Sequence, residues 1–125
     1  DKATELFAEQ ADEARQRGAV SNGRLILITL EAHFVDSGTY PERLGELGLG
    51  EVPLLDTDHI RRLESEEGTA GYRFVYTRIA SNRFHLLIKP TRPGFRKLSR
   101  FRTLFVDETG VFRYDNAGGP PVEFD

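Results

Sequence analysis

After Arg24 the chain reads LILITLEAHFVDSGTYPERLGEL as far as Leu47, and this stretch constrains the fold more than any other. Leu25 to Val35 is densely apolar. Asp36-Ser37-Gly38-Thr39-Tyr40-Pro41 is a polar exit marked by Gly and Pro. Together they have the pattern of a buried helix and its terminator. Leu25 to Leu30 alone also fits a buried strand, because periodicity does not separate the two in a short apolar run. Context decides for helix: Ala14 to Asp36 holds no proline and carries Glu31, Ala32 and His33.

On that helix Val20, Leu27, Leu30 and Phe34 share one face, with Glu31 at its edge. Ile26 and His33 lie on one flank, Ile28 and Val35 on the other. Leu25 to Leu30 is therefore apolar nearly all round, as in a helix buried on more than one side. The run is too short to span a bilayer. The helix is expected to be gripped by its own domain on one side, leaving Ile26, Ile28 and Val35 as a partly exposed assembly face. A central core helix without a partner reads equally well from helix physics alone.

A chain of 125 residues is expected to form one domain. It has no cysteine, which excludes disulfides, thiol nucleophiles and thiolate metal sites. No apolar run reaches the length of a membrane span. The absence of Met even at position 1 leads us to expect a fragment or a processed product, with any signal or anchor removed. The net charge of −3 hides an asymmetry. Nine basic residues and no acidic one fall between Arg73 and Arg102, while the rest holds eight basic and all twenty acidic residues. Such separation points to association with an anionic ligand or with the acidic face of another copy.

The segment 1–36 is expected to be helical, as one long helix bent near 18–23 or as two helices jointed there, because glycine weakens a helix interior. Residues 37–70 form a linker with a short helical turn at Pro41 to Leu47. A second helix follows from about Asp58 to Glu66, capped by Asp56 or Thr57. From Gly71 the period becomes two. Tyr72/Phe74/Tyr76, Phe84/Leu86/Ile88 and Phe101/Thr103/Phe105 define one aromatic face, and Val111 to Tyr114 returns after a hairpin loop. Residues 71–115 thus predict a four-stranded antiparallel meander, followed by an irregular tail at 116–125. The predicted class is α+β, with the N-terminal helix covering the aromatic face of the sheet.

No catalytic constellation emerges, and an enzyme is not expected. His33, His59 and His85 lie on three different elements without metal-ligand spacing. Glu66/Glu67 and Asp107/Glu108 fall in predicted turns, where solvated acids are the ordinary finding. Glu51, Asp56 and Asp58, or Asp107 and Asp115, make no complete calcium loop. No metal or cofactor is expected. The most specific chemical feature is the crowding of Arg92, Arg96, Lys97 and Arg100 around Phe95. It suits a phosphate backbone, another polyanion or an acidic protein surface.

Read in order, several motifs resemble type IV pilins and type II secretion pseudopilins. Asp12-Glu13-Ala14-Arg15, Leu27 through Asp36-Ser37-Gly38-Thr39-Tyr40-Pro41, and Leu44-Gly45-Glu46-Leu47 look like the stretch that follows the membrane anchor in that superfamily. Gly71-Tyr72-Arg73-Phe74-Val75-Tyr76, the Pro90 to Gly94 segment, and Arg102 through Arg113 with its Asp107-Glu108-Thr109-Gly110-Val111 core resemble its second half. The resemblance covers about residues 11 to 115. It implies a non-enzymatic filament subunit that packs its helix among copies of itself or related subunits and displays the sheet outside. It also implies an extracytoplasmic location, with inner-membrane anchoring through a segment upstream. Minor members of the superfamily include DNA-uptake subunits, which keeps DNA among the expected partners.

Overall fold

The computed structural model describes residues 2–49, 53–91, 102–116 and 119–124, with the backbone alone for 5–9 and 12. Among these residues eight elements follow one another: helix α1 (Lys2–Ser37), a 3₁₀ turn (Leu44–Gly48), helix α2 (Thr57–Glu64), and strands β1 (Tyr72–Ala80), β2 (Arg83–Pro90), β3 (Leu104–Asp107), β4 (Arg113–Tyr114) and β5 (Val122–Glu123). The strands form one antiparallel sheet in the order β1-β2-β3-β4-β5. The α+β class is as expected from the sequence. The strand count is not: Val122 and Glu123, in the stretch read as an irregular tail, pair with Tyr114 and Arg113 as a fifth strand.

Helix α1 runs without interruption through Gly18 and Asn22-Gly23. Gly23 is buried, and a Cβ built there would lie 2.8 Å from the Phe112 ring and 3.1 Å from Ile88. The glycine therefore lets the helix come close to Phe112 and Ile88, and it is not a joint. Ala19, Ile26 and Leu30 continue that contact, all buried among Phe74, Phe84, Leu86, Ile88, Leu104 and Val106. The buried row of the helix is thus Ala19-Gly23-Ile26-Leu30, at helical spacing. The face expected from Val20, Leu27 and Phe34 lies at its margins, with those residues only partly buried. Thr29, on the same side, is 6 % exposed and bonds its own helix, donating to the Ile26 carbonyl at 2.8 Å. That bond offsets the cost of burying a hydroxyl.

The exit of α1 is built as its residues require. Gly38, at φ +80°, donates its N–H to the Phe34 carbonyl at 2.7 Å, the left-handed glycine stop of a helix. Tyr40 then inserts between Phe34 and Phe84, with ring centroids 4.6 and 4.8 Å away. Its N–H bonds the Ser81 carbonyl at 2.8 Å, which ties the exit to the β1–β2 hairpin. Tyr76 Oη donates to the Pro41 carbonyl at 2.6 Å. Leu44 and Leu47 of the 3₁₀ turn and Ile60 and Leu63 of α2 complete the core beside β1.

The inner face of β1 and β2 carries Tyr72, Phe74, Phe84, Leu86 and Ile88, as the period-two pattern predicts. At β3 the parity is the opposite of the expected one. Ile88 pairs with Leu104 and Leu86 with Val106, so the aliphatic residues face the helix and Phe105 faces away. Phe105 lies in line with Val75 and Leu87 on the far side, where His85 packs edge-on to it at 5.0 Å. Register with β2 overrides the aromatic alternation here, because shifting a strand by one residue exchanges its faces.

Candidate interaction surface

The side of α1 turned away from the sheet is also apolar. Leu25 is 42 % exposed, Ile28 66 % and Val35 79 %. With Ala32 they are spaced 3-4-3, which places them in one row along the helix. Ile28, Ala32 and Val35 line a shallow open depression edged by Glu31 and Asp36. From Leu25 to Glu42 the chain carries no Lys or Arg. The row is held rigid from behind, since the opposite side of the same turns is the core.

The expected assembly face therefore separates into two parts. Ile28 and Val35 are exposed, whereas Ile26 is 0 % exposed and belongs to the core. Around the helix axis Ile26 falls on the Leu30 side, so it points at the sheet. Leu25 and Ala32 take its place. Sequence reading missed both because a segment apolar all round does not say which of its faces the domain will use. The 3-4-3 spacing was the available signal.

Glu31 is fixed at the edge of this row, where its Oε2 accepts a hydrogen bond from Tyr40 Oη at 3.1 Å. Burial, then the bond to Glu31, pushes the Tyr40 phenol up to about 12. Burial also raises the Tyr76 phenol above its ordinary value. Both stay neutral donors at physiological pH. They pin the exit turn, which positions the outer row.

Arg92, Arg96, Lys97 and Arg100 lie outside the described residues. The basic residues that are described have varied surroundings. Arg78 pairs with Glu42 and Arg83 with Glu108, each at 3.2 Å. Arg102 stacks over the Tyr114 ring at 4.1 Å, a cation–π contact. Arg73 and Lys89 stand directly opposite one another on β1 and β2. Arg73 Nε is shut off from water without an acceptor. A like-charge pair directly opposite across a ladder is unfavourable on its own.

The three histidines occupy α1, α2 and β2. His33 Nδ1 lies 2.9 Å from the Thr39 carbonyl and 3.1 Å from Ser37 Oγ. A carbonyl only accepts, so Nδ1 carries the proton and cannot serve as a base toward Ser37. Ser37 Oγ instead donates to the His33 carbonyl at 2.7 Å. This serine–histidine pair closes the helix end and is not a nucleophile with its base. Among the described residues, no three His, Asp or Glu side chains come together to hold a metal ion. Among the same residues, no helix is long and apolar enough to cross a membrane.

No protein-family model, no curated protein and no solved structure matches the chain.

Proposed function

We propose that the chain is the non-enzymatic headgroup of a filament subunit of the type IV pilin or type II secretion pseudopilin kind. It joins copies of itself or related subunits through its N-terminal helix and displays the sheet outside. The observation that carries this reading is the outer row of α1, Leu25, Ile28, Ala32 and Val35, left open on a helix whose opposite side is core. A helix apolar on both sides fits a domain on one and a partner on the other. The ordered Asp36-to-Pro41, Gly71-to-Tyr76 and Arg102-to-Arg113 motifs support the same class. On this reading the protein is extracytoplasmic and is held at the inner membrane before assembly by an anchor ahead of Asp1. The test is to read the coding sequence upstream of Asp1. An apolar stretch of about 20 residues with a glutamate near its start is expected; a polar upstream sequence would overturn the assignment.

A second reading is a pilin-like receptor for DNA or another polyanion, using Arg92, Arg96, Lys97 and Arg100. The like-charge pair Arg73 and Lys89, standing opposite one another on the sheet face away from the helix, favours it. Titration with duplex DNA at low and moderate salt checks this reading. Salt-sensitive binding is expected, and no binding at low salt rejects it.

A further inference from the structure

We infer that the outer row of α1 pairs with the same row of a second copy, antiparallel and about a two-fold axis. The inference rests on the reading above only in taking this row as a contact surface. The 3-4-3 spacing of Leu25, Ile28, Ala32 and Val35 extends back along the exposed side to Gly18 and Ser21. The spacing of this seam holds for about two and a half heptads, small at Gly18 and Ser21 and apolar from Leu25 to Val35. The Cβ of Gly18 would meet nothing within 4 Å, so the seam is clear of the chain's own domain at that point.

Charges beside the seam choose direction and register. Arg24 flanks its first half, Glu31 and Asp36 its second; Arg15 lies on the sheet side, its Cδ 3.7 Å from the Cβ position of Gly71. Parallel helices in register would face Glu31 with Asp36 of the other copy, twice, and would bring no opposite charges together. Antiparallel helices invert this arrangement. With Leu25 opposite Ile28 of the second copy, Ser21 meets Ala32 and Gly18 meets Val35. Arg24 then falls beside Glu31. The two-fold axis repeats the contact, giving two ion pairs and no like-charge pair. Sliding by one heptad brings Arg24 onto Arg24 in one direction and Glu31 onto Glu31 in the other, so a single register satisfies the flanks. The interface is isologous and closed. It uses up the face that an open assembly needs, so such an assembly through this row begins with the pair parting.

The chain has no cysteine, so introduced ones report without background. Gly18→Cys and Val35→Cys chains are oxidised separately and mixed, with Leu25→Cys as a third partner. A disulfide between positions 18 and 35 that dominates in the mixture, with little product from either chain alone, is expected. Homodisulfides from each single variant mean parallel helices in register. A link between 18 and 25 means a parallel stagger. Either result overturns the antiparallel pair and leaves the assembly reading standing. Monomers in every mixture overturn both. Arg24→Glu is expected to weaken the dimer several-fold, and Arg24→Glu with Glu31→Arg to restore it; an unchanged dimer in Arg24→Glu contradicts the register.

Discussion

Two rows run along α1 on opposite sides, and both begin with small residues and carry large ones further on. The inner row is Ala19, Gly23, Ile26 and Leu30, and the outer row is Gly18, Ser21, Leu25, Ile28, Ala32 and Val35. Composition does not tell them apart; what they face does. At Gly23 the inner row is pressed against Phe112 and Ile88, whereas the Cβ space at Gly18 is empty. Ile26 and Leu30 are sealed, whereas Ile28 and Val35 are mostly exposed. Within one helix, the inner row is core and the outer row is open to solvent, and we propose that the first serves stability and the second association.

The largest expected effect tests that division of labour. Leu30→Ala removes a fully buried side chain and is expected to cost about 2–5 kcal/mol in chemical denaturation. Ile28→Ala is expected to stay within about 0.5 kcal/mol of the parent when measured dilute. Equal losses would show that the two rows are not different in kind.

The glycines give the next largest contrast. Gly23→Ala forces Phe112 and Ile88 to give way, and overpacking outweighs the gain in helix propensity. A net loss of about 1 kcal/mol is expected. Gly18→Ala meets open space and is expected to gain up to about 1 kcal/mol. Opposite signs in thermal melts support the comparison, and a gain at Gly23 breaks it.

The smallest effect sharpens the account of how the outer row is held. Tyr40 has its folded-state pKa raised from 10.0 to about 12. A folded state that holds a proton more tightly than the unfolded state loses stability as pH rises. The contribution is complete below pH 10.0 and is lost as pH rises through about 12. Stability of the parent is therefore expected to decline in that window, and Tyr40→Phe to decline less. Identical alkaline profiles would mean that the Tyr40–Glu31 contact does not tie down the exit of α1.

Much of this was legible in the sequence. The helix stop at Asp36 to Pro41 is written in residues that act locally: Gly38 takes the left-handed φ and Tyr40 has its partners in Phe34 and Phe84. The alternation of β1 and β2 is equally local. The parity of β3 is not, because Phe101/Thr103/Phe105 and Leu104/Val106 both alternate plausibly and only the register with β2 selects between them. Gly23 reads as a helix breaker until Phe112 and Ile88 are brought against it by the fold. The two-residue β5 follows a Gly- and Pro-rich run that by itself signals only irregular chain. At the surface, Ile28 and Val35 are exposed as expected and Ile26 is buried instead, since an all-round apolar helix leaves its inward face to be chosen by the sheet. The basic cluster at Arg92 to Arg100 lies outside the described residues.

The central claim is that the outer row of α1 is a contact surface. Sedimentation of the chain over a range of concentrations, beside Ile28→Glu/Val35→Glu, tests it most directly. Both substitutions sit at exposed positions, so the variant is expected to keep the parent's dilute melting temperature. The parent is expected to associate as its concentration rises, and the variant to remain monomeric throughout. A parent that stays monomeric at every concentration, or a variant that associates as well as the parent, would contradict the account.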